Sequence, residues 1–202
     1  KKVPTPYRMN DIGSFQKVGP AFQGKSSPEI LIKTTKQLAK EQGFDLKKAN
    51  VEQIKNFMVL NKLGIDCSGF VYRILNELVQ KVKGKPLTEF GLPNVGRTNV
   101  TKLTSFEFTI TIETAGQIQS GDLIELNSSS KPPHCFIVLQ NDGHKIIYAH
   151  SAGRSKITGV HTGEIIISDP KKGLDEQNWK EEFKALVFNA KSGDGARRLK
   201  CL

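Results

Sequence analysis

Apolar residues recur at helical spacing in the first half of the chain and alternate in the second, with the change after Pro93 and Gly96. From Ser68 onward, Phe70, Val71, Ile74, Leu75, Leu78, Val79 and Val82 come in pairs four residues apart, which predicts a broad buried stripe on a central helix. Asn50 and Gln53 have capping-box spacing, and Val51, Ile54, Phe57 and Met58 share one face, so a helix is expected over about 51–62, closed by Gly64. Ser27, Pro28 and Glu29 read as N-cap, first-turn proline and first-turn acid of a helix over about 28–42 that stops at Gly43. Before it, prolines and glycines interrupt any regular element, and residues 1–26 read as a wrapped arm.

Beyond Gly96, Phe106, Phe108, Ile110 and Ile112 alternate with Glu107, Thr109 and Thr111, the signature of a half-buried strand. Further strands are expected at 123–126, 135–139, 145–149, 164–167 and 186–188. Helices followed by antiparallel strands make an α+β layer fold.

Composition narrows the function. The 202 residues suffice for one domain with a real core, and no apolar run approaches the ~20 residues of a membrane span. Thirty Lys and Arg against twenty Asp and Glu leave a net charge of +10, which favours polyanionic partners. Basic pairs such as Lys47-Lys48, Lys171-Lys172 and Arg197-Arg198 are dispersed with few aromatics between them, so nucleic-acid binding is disfavoured. Cys67, Cys135 and Cys201 are too few and odd in number for a disulfide framework, so at least one thiol is free.

Candidate chemistry centres on Gly64-Ile65-Asp66-Cys67-Ser68-Gly69-Phe70-Val71, which sets a cysteine in the first turn of a helix, where unpaired N–H groups and the helix dipole stabilise a thiolate. Asp66 can cap that helix, and the small Ser68 and Gly69 leave room for a substrate carbonyl. A nucleophilic cysteine needs a base. His134 opens one predicted strand and His150 ends the next, with Asn141-Asp142-Gly143 as the turn signal between them. A three-residue turn at 141–143 puts the two histidines directly opposite each other on one face; a two-residue turn at Asp142-Gly143 would put His150 opposite Cys135 instead. In the first register Cys67 attacks, His134 carries the proton and His150 fixes the tautomer of His134. Cys135 should face away from His134 into the core, and Cys201 reads as a free tail thiol. His144 in the turn and His161 in a Gly-bounded loop read as solvated surface residues. Asn99-Val100-Thr101 and Asn127-Ser128-Ser129 match the glycosylation pattern, which is too common to weigh.

These residues resemble the NlpC-type cell-wall peptidases of the papain-like cysteine peptidase superfamily. Asp66-Cys67-Ser68-Gly69-Phe70-Val71 is similar to the family's nucleophile motif, and Arg97-Thr98 to the segment after the central helix. Gln119-Ser120-Gly121-Asp122-Leu123-Ile124 resembles the entry to the first core strand. His134-Cys135-Phe136-Ile137-Val138-Leu139 and Tyr148-Ala149-His150-Ser151 resemble the two histidine strands, and Gly195-Ala196-Arg197-Arg198-Leu199 the closing strand. The resemblance covers about residues 60–202 and implies a papain-like catalytic domain there, with 1–59 as an arm and helical extension that can be integral to it. It implies N-terminal helices packed on a central antiparallel sheet, with the nucleophile at the start of the central helix.

The implied activity is hydrolysis of an amide bond in peptidoglycan stem peptides through a thioester, by a monomer with no metal or organic cofactor. It would be secreted or held at a bacterial cell envelope, with acidic wall polymers as further partners, although the chain opens at Lys1 without signal-like n- and h-regions. Two departures stand out. The spacing from His134 to His150 is several residues longer than usual, and the family's aromatic-Gly-Gly segment before the nucleophile is replaced by Asn61-Lys62-Leu63-Gly64. Pro6-Tyr7-Arg8 resembles that segment displaced by a helical insertion, which would bring Tyr7, with Asp66 and Ser68, to the substrate pocket. The alternatives are a catalytically silent module that binds wall fragments or a protein partner, and an intracellular cysteine amidase with another substrate.

Overall fold

The computed structural model describes residues 1–9, 19–126, 133–153, 155–181 and 188–202. Four helices precede a seven-stranded antiparallel sheet: α1 (Pro28–Glu41), α2 (Val51–Leu60), α3 (Cys67–Lys83), α4 (Val100–Leu103), β1 (Thr109–Ile112), β2 (Leu123–Leu126), β3 (His134–Asn141), β4 (Lys145–Ala152), β5 (Gly159–Ile166), β6 (Asn178–Trp179) and β7 (Gly195–Leu199). Strand order is β1-β7-β2-β3-β4-β5-β6, so the chain's last strand is inserted between its first two.

Caps fix the helix starts. The Ser27 hydroxyl accepts from Ile30 N, Asn50 and Gln53 form a reciprocal capping box, and Asp66 accepts from Gly69 N at the head of α3. On α3 the predicted stripe is buried at Val71, Leu75 and Val79, each fully enclosed and worth about 1.5–3 kcal/mol, whereas Val82 in the last turn is 58% exposed. The stripe packs on Leu123, Cys135, Ile137 and Ala149 of the central strands; the other face of the sheet buries Phe136, Ile146, Tyr148 and Ile165. Cover on both faces explains why β2 is buried at every residue instead of alternating.

Two expectations are corrected by this geometry. The Phe106–Ile112 alternation is not a half-buried strand: residues 105–108 form a turn, Phe106 and Ile110 are exposed, and the buried positions are the adjacent Phe108 and Thr109. As the sheet's edge, β1 has partial cover, and the Thr109 hydroxyl is used locally, donating to the carbonyls of Thr104 and Ser105. The strand expected at 164–167 begins five residues earlier, which brings His161 out of its expected loop into β5. The strand at 186–188 falls mainly outside the described residues, as does the Asn127 glycosylation pattern; Phe188 lies in no strand.

The arm is stitched to the entrance of α3. Ile65 N donates to Pro6 O, Arg8 N to Ile65 O and Asp66 N to Gly24 O, while Val160 N donates to Thr5 O. Glycine is required where these backbones meet: a Cβ on Gly64 would lie 2.4 Å from Pro6 O, and one on Gly69 2.3 Å from Gly24 O. Pro6, Arg8 and Gly24 of the arm therefore bear directly on how the segment before Cys67 is held.

Candidate active site

Cys67 is the first residue of α3 and is almost fully buried. Its sulfur lies 4.0 Å from the Pro133 carbonyl, the outer limit for a sulfur donor, so that contact contributes little. A hydrogen bond from the Cys135 thiol, followed by the charge and hydrogen bond of His134, holds Cys67 well below the ordinary thiol range against the opposing effect of burial. Cys135 moves the other way, raised by its complete burial and by the neighbouring Cys67. The expectation that Cys135 packs in the core holds, but its thiol lies against the nucleophile as well. All three cysteines are free, and Cys201 is half-buried.

His134 begins β3, and its Nε2 is 2.8 Å from Nδ1 of His150. The expected pairing of the two rings is present, although neither considered register produces it. The turn falls at Gly143-His144, where Asp142 N donates to Lys145 O and the Asp142 carboxylate accepts from the N–H groups of His144 and Lys145. Next to that turn, Asn141 pairs with Ile146 and Gln140 with Ile147, a register that would carry His134 and His150 to opposite faces. Leu139 then stands unpaired as a bulge, and beyond it Val138 pairs with Tyr148 and Ile137 with Ala149. Continuing at that step, Phe136 lies across from His150, and His134 becomes its diagonal neighbour on the same face, with ring centroids 5.1 Å apart. His144 is exposed in the turn, as expected.

His161 is not a solvated loop residue: it pairs with His150 across β4 and β5, and its side chain is only 10% exposed. Its Nε2 lies 2.8 Å from Glu181 Oε1, and its Nδ1 lies 2.9 Å from the Gly159 carbonyl. Glu181 Oε2 lies 3.1 Å from His150 Nε2 and accepts from the Tyr148 hydroxyl at 2.8 Å. A Cβ on Gly163 would collide with both partners of that last bond, so glycine keeps the space for it. His161 was legible in principle, because extending period two back from the buried Ile165 puts Gly163 and His161 on the same face. Glu181 follows the two-residue β6 in a segment without periodicity and carries no comparable signal.

Proton positions follow from these partners. Burial pushes His150 down to about 4, against the lifting effect of Glu181, so it is neutral at pH 7 and its contact with Glu181 is a neutral N–H on a carboxylate rather than an ion pair. Burial would raise Glu181, but hydrogen bonds from His150 and His161 hold it well below the carboxylate range, leaving it ionised and able only to accept. Hence His150 carries its proton on Nε2, and its Nδ1 accepts from His134 Nε2–H. That leaves His134 Nδ1 to take a proton from Cys67. On His161, burial opposes the charge, yet Glu181 and the Gly159 carbonyl lift the imidazole above its usual value; both its nitrogens face acceptors and both carry protons.

The remaining expected residues line one cleft of about 780 Å³ with Cys67: Tyr7, Asp66 and Ser68, joined by Lys25, Arg97 and Pro133. The Tyr7 ring is wedged against Gly153, where a Cβ would lie 2.6 Å from it. Asp66 and Ser68 line the cleft, but their polar atoms are engaged: Lys25 Nζ donates to Asp66 Oδ1 at 3.0 Å, to Ser68 Oγ at 2.5 Å and to Thr98 O at 3.0 Å. Burial lifts the Asp66 carboxyl above its ordinary value against the pull of Lys25. Among the described residues, His150, His161 and Glu181 form the group with metal-ligand geometry, and no helix is long and apolar enough to cross a membrane. The chain matches none of the known protein-family models and none of the curated proteins.

Proposed function

We propose that the protein is a cysteine peptidase or amidase of NlpC type, with a papain-like arrangement of helix and sheet, that hydrolyses an amide bond in peptidoglycan stem peptides at the bacterial cell wall. The observation that carries this reading is the line from Cys67 at the N-terminus of α3, through His134, to His150 Nδ1 at 2.8 Å. His134 takes the thiol proton, and the Cys67 sulfur attacks the amide carbonyl. The N–H groups of Cys67 and Ser68 at the start of α3 have no acceptor within the helix and serve the developing oxyanion, whereas that of Gly69 is taken by the Asp66 cap. Collapse expels the amine, protonated by His134, and leaves a thioester; water, deprotonated by His134, then releases the carboxylate and restores the thiol. His150 acts through His134 and is a positioning residue.

Charge in the cleft agrees with an acidic peptide substrate. Asp66, the one carboxylate among the described lining residues, is already matched by Lys25, so Arg97 leaves the lining net positive. Defined muropeptides incubated with the protein should yield new amino termini by mass spectrometry, and Cys67→Ala should abolish them. Undiminished cleavage by Cys67→Ala, or no cleavage of any muropeptide by the unmodified protein, would overturn the reading.

A further inference from the structure

Two imidazoles and a carboxylate converge behind the proton carrier, in an arrangement the hydrolytic reading does not use in full. His150 Nε2 and His161 Nε2 are 3.0 Å apart, yet both are N–H donors to Glu181 and so cannot hydrogen-bond to each other. Such proximity is what two ligands of one cation show. With metal–nitrogen bonds of about 2.0–2.1 Å, tetrahedral ligands stand roughly 3.3 Å apart; here the two imidazole Nε2 atoms are 3.0 Å apart, His161 Nε2 is 2.8 Å from Glu181 Oε1, and one ligand atom from each of the three residues lies within 4.8 Å of the others. The backs of the ligands are braced as metal ligands usually are: His161 Nδ1 on the Gly159 carbonyl, His150 Nδ1 on His134, and Glu181 Oε2 under the Tyr148 hydroxyl. His150 is sealed, while His161 and Glu181 are about one-tenth exposed, so an ion would enter from their side. Two imidazole nitrogens and one carboxylate suit zinc-class ions better than calcium or magnesium.

We propose that His150, His161 and Glu181 bind a divalent transition-metal ion of the zinc class, and that the bound ion reverses the hydrogen bond between His150 and His134, withdrawing the proton acceptor that serves Cys67. A metal on Nε2 of both imidazoles displaces both of those protons. One leaves to solvent from His161, which keeps Nδ1–H on Gly159 O. The His150 proton moves to Nδ1, so His150 becomes the donor to His134; His134 Nε2 must then accept, and the single proton of neutral His134 sits on Nδ1, facing the sulfur. A nitrogen that already carries a proton cannot take one from Cys67. The ion is therefore an off-switch whose ligand set shares one residue, His150, with the catalytic line. The inhibitory half rests on the hydrolase reading; the ion-binding half does not.

The two halves are tested separately. Metal-free Cys67→Ala protein is titrated with Co²⁺ and followed by the visible absorption of tetrahedral cobalt. One equivalent should bind with release of about one proton, and His161→Ala and Glu181→Gln in the same background should weaken binding by about 100-fold or more, since even supporting residues cost 10–100-fold. Glu181→Gln conserves size, and circular dichroism verifies that each variant is folded. Equal uptake by the parent and both folded variants, or none by the parent, overturns the site. In protein with Cys67 intact, Zn²⁺ should slow alkylation of Cys67 at least tenfold relative to chelator-treated protein, and should have no such effect in His161→Ala. Slowing that persists in His161→Ala places the ion on the thiol and overturns the switch. Cobalt uptake without muropeptide cleavage would leave the metal site standing and the hydrolase reading refuted; cleavage without uptake gives the reverse.

Discussion

The neutral state of buried His150 makes the fold acid-labile in a defined window, and in metal-free protein that lability can be measured. His150 is fully enclosed, and its folded value of about 4 lies below the 6.5 of a free imidazole. Between those values the unfolded chain binds the proton and the folded chain does not, so stability falls as pH falls from about 6.5 toward 4. At about 1.4 kcal/mol for each tenfold change in proton activity, the gap is worth about 3 kcal/mol, most of it lost above pH 4.5. For a chain of this size that corresponds to roughly 6–12 °C in melting temperature. Neighbouring groups act elsewhere or with opposite sign. The depressed Glu181 contributes stability above its unfolded value, lost only as pH drops below about 4.5. The raised His161 contributes stability below about 6.5, lost as pH climbs through its folded value. Asp66, raised by burial, opposes acid unfolding and so works against the His150 trend.

The assay is therefore a difference. Urea unfolding of wild type and His150→Gln is followed from pH 7.5 to 4.5 in chelator; glutamine can still donate to Glu181 but cannot titrate. Wild type should lose about 2–3 kcal/mol more than the variant across that range. Parallel losses would mean that His150 accepts a proton in the folded state without penalty. Its Nδ1 would then be no fixed acceptor, and the tautomer assigned to His134 would fall.

Two further substitutions probe the groups around the sulfur. Cys135→Ala removes the donor that most strongly holds Cys67 as a thiolate; a sulfur donor to a charged acceptor sits near the low end of about 1.5–3 kcal/mol, so alkylation of Cys67 at neutral pH should slow about tenfold, and an unchanged rate would refute the coupling. Lys25→Met strands the Asp66 carboxylate, whose pair with Lys25 is nearly buried at 13% and 11% side-chain exposure; breaking it should cost about 3 kcal/mol in thermal or urea unfolding and loosen the cap of α3, whereas a loss under about 0.5 kcal/mol would show Asp66 to be solvated.

How much of the site could be read from the chain depends on the range over which each contact is encoded. Local rules specify the head of α3: Asp66 accepts from Gly69 N as an N-cap should, and the position of Cys67 follows from that cap. The α1 and α2 starts are legible for the same reason, and β2 appears over the residues its pattern predicts. Face assignments across the β3–β4 hairpin are a different kind of information, because they depend on the parity of the register. Turn chemistry places the reversal within a residue or two, but each one-residue error moves a side chain through the sheet. Here the two-residue turn at Gly143-His144, in place of the three-residue turn expected at 141–143, would have separated His134 from His150, and the unpaired Leu139 brings them back to one face. Nothing in Val138-Leu139-Gln140 marks a bulge; what anchors it is non-local, with Gly121 N on Val138 O, Val138 N on Asp122 O and the Ser120 hydroxyl on Leu139 O. The two rings thus share a face through two offsets that together restore its parity but leave them diagonal rather than directly opposed. Glu181 is reached from β5 through β6, so its place beside His150 is fixed only once the sheet is assembled, and no residue near it in sequence reports on that. The nucleophile is encoded by the helix it starts, whereas the groups that set the protonation of its base are encoded by the whole sheet. Substitutions in β5, and at Gly163 above all, should therefore alter Cys67 chemistry without touching the cleft.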